Sequence, residues 1–292
     1  MGDLHTASGT SASELVAEQI VRSIGIPPCP EILITAVREV GRKNMNPQRL
    51  VDLMSRDAGL AAPLLKLCNT RLGQSGRKLS SVQEAVEAVG LDEAIILVQT
   101  VAMQQSIEPN TQRFEKFWER SALTARAAEK LASRVPGAAP QDAYITALFH
   151  DCGVPVMMLK FPDYRERLMR ECTEGRFIHR VEDHHYATDH AVVGHLLART
   201  WQLPPHVCKA ILHHHDQTIF EECVGHQPVV CHLIALIHMA ECVVDEYLCK
   251  KPDEWLHFSQ PVLSFLELDE SEFEVIKHDM LAYLNGEWSG NA

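Results

Sequence analysis

Apolar residues recur every three or four positions along nearly the whole chain, which is the period of an α-helix. Alternation of apolar and polar residues, the pattern of a half-buried strand, is almost absent. The clearest helical patterns cover residues 117–133, 141–151, 189–201, 205–215 and 228–248. The hydrophobic pattern therefore predicts an all-α fold.

The helical patterns fall into four segments. Residues 1–24 are predicted to be a polar tail followed by a short helix, and residues 25–110 a helical N-terminal subdomain. A polar stretch at 106–113 marks the boundary with a second helical subdomain, 111–250. Residues 251–292 carry further apolar positions at helical spacing, and we expect these terminal helices to pack back on the second subdomain.

Composition narrows the functional classes. At 292 residues the chain is long enough to bury a large core. A formal net charge of −12 argues against a nucleic-acid surface, which needs a basic patch. No stretch of residues approaches the roughly 18 consecutive apolar residues of a membrane span. We therefore expect a protein that binds neither nucleic acid nor membranes.

The cysteines indicate a reducing compartment. Nine cysteines form no CxxC pair, and most have apolar neighbours, as small reduced core residues do. The N-terminus lacks a basic segment followed by an apolar run, so no signal peptide is predicted. These features favour a cytoplasmic location.

Candidate chemistry begins with His150 and Asp151, which close an apolar helix just before Gly153. An imidazole and a carboxylate at adjacent positions can bind the same metal ion. The same pair can also be a helix end with no chemical role. Which of the two roles applies depends on the polar side chains that the other helices place near His150 and Asp151.

Four other predicted helices each place one polar side chain on their apolar face; these residues are Arg120, His190, His214 and Glu241. Unpaired buried charges are costly, so such groups are expected to converge on a metal or on each other. The alternative is that each histidine is a core residue with its own hydrogen-bond partner. His195 shares a face with Arg199, and we expect it to meet solvent.

These residues lie within motifs of a known family. Over roughly residues 24–250 the chain resembles the HDOD domain, a relative of the HD and HD-GYP phosphohydrolases. The order and spacing of several motifs carry the resemblance: Ile26-Pro27-Pro28-Cys29-Pro30, Ser80-Ser81-Val82-Gln83-Glu84-Ala85, Phe149-His150-Asp151-Cys152-Gly153, Asp189-His190-Ala191 and His213-His214-His215-Asp216.

The resemblance implies a fold, a role and a set of site residues. The fold would be a helical N-terminal subdomain followed by an HD-like helical bundle, and the role bacterial signal transduction. In catalytic HD relatives, histidines and aspartates hold one or two metals that activate water against a phosphoester. The matching metal-site residues here are His150, Asp151, His190, His214, His215 and Glu241, enough for one octahedral ion. The implied cofactor is a divalent transition metal such as Fe, Mn, Zn or Ni.

Some positions depart from the catalytic pattern. Arg120 stands where the first-helix histidine is expected, and the Gly-Tyr-Pro signature is missing after His215. A guanidinium keeps its protons and cannot bind a metal, so Arg120 is predicted to line the site and pair with a carboxylate.

The departures favour a non-catalytic regulatory protein whose partner is a signalling protein or a small ligand. The alternative is a metal-dependent phosphohydrolase acting on a nucleotide or a cyclic dinucleotide. The sequence leaves the oligomeric state open.

Overall fold

The computed structural model describes residues 11–24, 79–90, 114–172, 177–221 and 228–285, with isolated positions 51, 54, 55, 65, 68 and 94. Most of the predicted N-terminal subdomain, 25–110, lies outside these residues. Every regular element in the described segments is helical, which confirms the all-α prediction.

The helices of the described residues are numbered in chain order. They are α1 (Ala12–Ile24), α2 (Val82–Val89), α3 (Glu115–Ala132), α4 (Pro140–Phe149), α5 (Gly153–Lys160), α6 (Tyr164–Glu171), α7 (Ile178–Tyr186), α8 (His190–Thr200), α9 (Pro205–His213), α10 (Pro228–Tyr247), α11 (Trp255–Leu266) and α12 (Glu270–Leu284). A short 3-10 helix, Gln217–Phe220, lies between α9 and α10.

Two helices end earlier than the sequence predicted. Helix α4 ends at Phe149 rather than at 151, because the chain turns there and the Cys152 amide donates to the Phe149 carbonyl at 3.0 Å. Helix α9 ends at His213 rather than at 215. His150, Asp151, His214 and His215 therefore occupy turns directly after helices.

Capping residues define two helix starts. The Ser81 hydroxyl accepts a hydrogen bond from the Glu84 amide, and the Glu84 carboxylate accepts one from the amide of Ser80. A full capping box forms instead at α12, where Asp269 and Glu272 each accept from the other's backbone amide.

The chain divides into two compact units. The first comprises Met1–Gly25, Thr124–Arg199 and Pro205–Ala292, and the second Ile26–Leu123 with Thr200–Pro204. This division falls inside α3. The subdomain boundary at 106–113 stays a prediction. Within the second unit, α2 buries Val82, Ala85 and Val86.

Helix α10 is the centre of the first unit. It packs against α4, α9, α11 and α12, and the residues from Leu233 to Val244 are buried without interruption. By length and composition α10 could cross a membrane, although His232, His238 and Glu241 interrupt its apolar run. However, 78% of its most apolar window is buried by neighbouring helices, as in a core helix.

Helices α5 and α8 begin in unusually close contact. A Cβ atom on Gly153 would overlap the carbonyl oxygen of His190 and lie 2.8 Å from the carbonyl carbon and 2.9 Å from the Cα of that residue. Since all three are backbone atoms, they cannot move aside as a flexible side chain can. Only glycine permits this approach.

Gly153→Ala is therefore expected to destabilise the protein by at least about 2 kcal/mol, in the upper part of the range for overpacking. Chemical denaturation measures this change. Gly194→Ala is the matched control, since its Cβ would meet Cys152 Sγ at 3.3 Å and Ile211 at 3.4 Å. A helix-interior alanine also has better propensity, so we expect a change within about 1 kcal/mol. Equal stability of the two variants would contradict the close contact.

The C-terminal helices share the core of the first unit. Phe258 on α11 is 2% exposed and stacks on the His238 ring of α10, with centroids 3.7 Å apart. Trp255 and Phe273 join α11 to α12, with centroids 4.4 Å apart.

Phe258→Ala is expected to lower the free energy of unfolding by about 3–5 kcal/mol, because it removes a fully buried ring. Leu256→Ala, two residues away but 67% exposed, is expected to change it by less than about 0.5 kcal/mol. Urea denaturation followed by circular dichroism compares the two. A small effect of Phe258→Ala would show that α11 does not belong to the cooperative core.

Candidate metal centre

The first unit brings together the six residues proposed from the sequence as metal ligands. His150 and Asp151 lie in the turn after α4, His190 begins α8, His214 and His215 follow α9, and Glu241 lies on α10. His150, His190 and His214 are at most 1% exposed, and Glu241 is 7% exposed. The Asp151 side chain keeps 21% of its surface accessible. The inward orientation inferred from helical periodicity is correct for His190, His214 and Glu241.

One oxygen of Asp151 faces a group of imidazoles. Oδ1 lies 3.3 Å from Nε2 of His190 and 3.7 Å from Nε2 of His214. Nε2 of His215 is 2.8 Å from Nε2 of His190. We call Asp151, His190, His214 and His215 the imidazole group; their ligand atoms all lie within 4.8 Å of one another.

The other oxygen of Asp151 faces a different group. Oδ2 lies 3.3 Å from Nε2 of His150, and the same nitrogen lies 3.3 Å from Oε1 of Glu241. A single six-coordinate ion therefore does not describe the arrangement, because the two Asp151 oxygens face separate sets of side chains.

Hydrogen bonds fix which nitrogen each ring presents to Asp151. Nδ1 of His150 lies 2.7 Å from the Ala147 carbonyl, and Nδ1 of His214 lies 2.7 Å from the Ile211 carbonyl. A carbonyl only accepts, so each Nδ1 carries the proton and donates. Each Nε2 is left facing the carboxylate. Metal-binding histidines have this outer hydrogen bond, which sets ring orientation and tautomer.

The distances in the imidazole group fit one divalent transition metal. Around an ion with bonds of about 2.1 Å, neighbouring ligand atoms lie roughly 3.0–3.4 Å apart. The separations of 2.8, 3.3 and 3.7 Å bracket that range. Within the described part of the chain, His214 Nε2 is buried and has no hydrogen-bond partner, which a metal would provide. An imidazole-rich donor set is suited to Zn, Fe, Ni or Cu.

The electrostatics of the two groups differ. Burial alone would lower the pKa of His150, but ion pairing with Asp151 and Glu241 raises it to about 10. Burial and the neighbouring histidines lower the pKa of His215 well below its usual value. Burial would also lower the pKa of His190, but Glu182 and Asp151 raise it well above its usual value. His150 and His190 thus form buried ion pairs with carboxylates, whereas His215 offers a neutral ring to the imidazole group.

Sequence reasoning missed several residues around the centre. Glu182 on α7 is fully buried and lies 2.5 Å from Nδ1 of His190. Glu254, just before α11, lies 3.0 Å from Nδ1 of His215. His238 donates from Nε2 to the His214 carbonyl at 2.7 Å. Glu254 and His238 lie beyond the last quoted motif, and the polar segment around Glu182 has little apolar periodicity, so no sequence signal singled them out.

Two further predictions concern His195 and Arg120. The expectation that His195 meets solvent is wrong: the residue is 8% exposed, and its Nδ1 donates to the Cys208 carbonyl at 2.8 Å. Arg120 lies on α3 in the second unit and is half-buried. Its pairing with a carboxylate of the centre stays a prediction.

Solved structures share this fold. An HDOD domain protein of unknown function from Geobacter sulfurreducens matches 95% of this chain and 99% of its own, with 20% identity and a TM-score of 0.67. A candidate phosphohydrolase from Shewanella amazonensis SB2B matches 93% of this chain and 95% of its own, with 18% identity and a TM-score of 0.66. At these identities the likeness concerns the fold.

Sequence comparison identifies the family. An uncharacterised protein of Treponema pallidum (strain Nichols) is 29% identical over 210 residues, which cover 71% of this chain. The matched region spans 41% of that relative's length. Residues 26–217 match the HDOD domain, a stretch that contains five of the six residues brought together around Asp151. The chain belongs to the HDOD family.

Proposed function

We propose that this HDOD protein is a regulatory protein that binds one divalent transition metal at Asp151, His190, His214 and His215. One observation carries the proposal: imidazole nitrogens of His190 and His214 face one oxygen of Asp151, and Nε2 of His215 lies 2.8 Å from that of His190. The His190 and His214 rings are held by hydrogen bonds at their opposite nitrogens.

The four residues of the imidazole group would have different roles as ligands. His190, His214 and His215 offer nitrogen ligands, and Asp151 offers an oxygen and a negative charge. When bound, the metal supplies positive charge to a buried carboxylate and a Lewis-acidic position. The imidazole group sits where α4, α8 and α9 end or begin, so metal binding would hold these helices in register.

A regulatory role fits the remaining residues better than hydrolysis. In two-metal hydrolases a second ion helps stabilise the attacking and leaving oxygens. Here the group at the other oxygen of Asp151 comprises two further side chains, His150 and Glu241. Arg120 replaces a histidine expected in catalytic relatives. We therefore propose a cytoplasmic signalling role in which the protein binds a partner protein or a small ligand.

A second function deserves a direct test because Asp151 faces two groups with separate oxygens. A carboxylate in that position can bridge two ions, as in metal-dependent phosphohydrolases. This reaction class is in keeping with the name of the Shewanella phosphohydrolase structure. We propose a nucleotide or a cyclic dinucleotide as the substrate class.

Protein purified without a histidine tag is expected to contain one equivalent of transition metal by elemental mass spectrometry. After chelation, it should bind one equivalent of Co²⁺. His190→Ala and His214→Ala should weaken Co²⁺ binding by more than about 100-fold, since changing a residue that only hydrogen-bonds to a ligand already costs roughly 10–100-fold. His195→Ala is the control, because it removes a buried imidazole from α8 outside the centre.

Wild-type binding that matches both histidine variants would contradict the proposed centre. The loaded protein should show no turnover of a cyclic dinucleotide or a chromogenic phosphodiester. Turnover that disappears in Asp151→Asn would instead establish the phosphohydrolase.

A further inference from the structure

A buried carboxylate stands directly behind His190. Glu182 has no exposed surface. Its Oε2 accepts from the backbone amide of His190 at 3.0 Å and from the ring Nδ1 of the same residue at 2.5 Å. Its Oε1 accepts a short hydrogen bond from the hydroxyl of Tyr164.

The three donors account for the burial of this charge. An isolated carboxylate in a protein interior costs several kcal/mol, and hydrogen bonds from fixed donors offset that cost. The backbone donor ties Glu182 to the first residue of α8, and the ring donor sets the rotation of the imidazole. Together they fix the direction in which Nε2 of His190 points.

His190 differs in this respect from the other anchored histidines. His150 and His214 donate from Nδ1 to neutral carbonyls of their own helices. His190 donates to an anion on another helix, α7. A carboxylate behind the ring makes Nε2 a stronger donor to a cation, as in carboxylate–histidine–metal arrangements.

Tyr164 fixes Glu182 in turn. It is the first residue of α6, is 1% exposed, and stacks near the Tyr186 ring with centroids 6.0 Å apart. Its hydroxyl donates to Oε1 of Glu182, the carboxylate oxygen to which His190 does not donate. The Glu182 carboxylate is therefore held at both oxygens and cannot rotate away from the ring.

We propose that Glu182 is a positioning residue of the centre, acting through His190, and that Tyr164 holds Glu182 in place. This inference rests on the proposed metal-binding function. Helices α6 and α7, which supply none of the metal ligands, would thereby set the strength of metal binding.

The test compares Glu182→Gln and Tyr164→Phe with Tyr186→Phe as the control, since Tyr186 lies in the same aromatic cluster. Glu182→Gln keeps the size of the side chain and removes its charge. It should weaken Co²⁺ binding by about 10–100-fold and shift the Co²⁺ absorption spectrum while stoichiometry stays at one. Tyr164→Phe should weaken binding less, and Tyr186→Phe should leave it unchanged.

A second readout needs no metal. In ¹⁵N-labelled metal-free protein, the His190 Nδ1 proton should resonate far downfield in the wild type and move upfield in Glu182→Gln. Should Glu182→Gln fail to fold, Tyr164→Phe must move the His190 Nδ1 resonance and cause a measurable loss of Co²⁺ affinity.

The outcomes separate the two proposals. A wild-type protein that binds no Co²⁺ contradicts the metal function, and the His190 resonance then decides the role of Glu182. Co²⁺ affinity, spectrum and His190 resonance that all stay at wild-type values in the Glu182 and Tyr164 variants would overturn the inference.

Discussion

The arrangement of the first unit depends on the burial of carboxylates among histidines. A carboxylate removed from water must meet protons or cations within hydrogen-bond distance. Asp151 and Glu241 meet this condition through His150 on one side, and Asp151 meets the imidazole group on the other. The contacts of His150 with Glu241 and of Asp151 with His190 and His214 join different segments, so these charges add to apolar packing in fixing the register of α4, α8, α9 and α10.

Close backbone packing supports the same geometry. Gly153 lets α5 begin against the first residue of α8, which brings the turn carrying Asp151 next to His190. The side chain of Glu182 holds the amide at that same residue. Two neighbours thus constrain His190. The backbone of α5 packs directly against it at Gly153, and the buried carboxylate of Glu182 on α7 accepts from its amide.

Helical periodicity predicted the parts of this centre that repeat an apolar face. His190 lies on the line of Val193 and Leu197, and Glu241 on the line of Ile234 and Ile237, so their burial follows from spacing. The burial of His195 was not predicted, because its hydrogen-bond acceptor is the Cys208 carbonyl on α9, which is distant in sequence. The roles of Glu182 and Glu254 were not predicted for the same reason, since their partners are histidines of other segments. The division of the ligands between the two Asp151 oxygens also depends on the turn after Phe149. Helical periodicity had instead predicted that the helix continues to residue 151.

The central claim is that the imidazole group binds a transition metal, and anomalous diffraction from crystals of metal-loaded protein tests it most directly. The account predicts one anomalous peak at the absorption edge of the metal, about 2.0–2.2 Å from Asp151 Oδ1 and from Nε2 of His190, His214 and His215. Loaded crystals with no peak there, or with the metal bound only at surface residues, would contradict it.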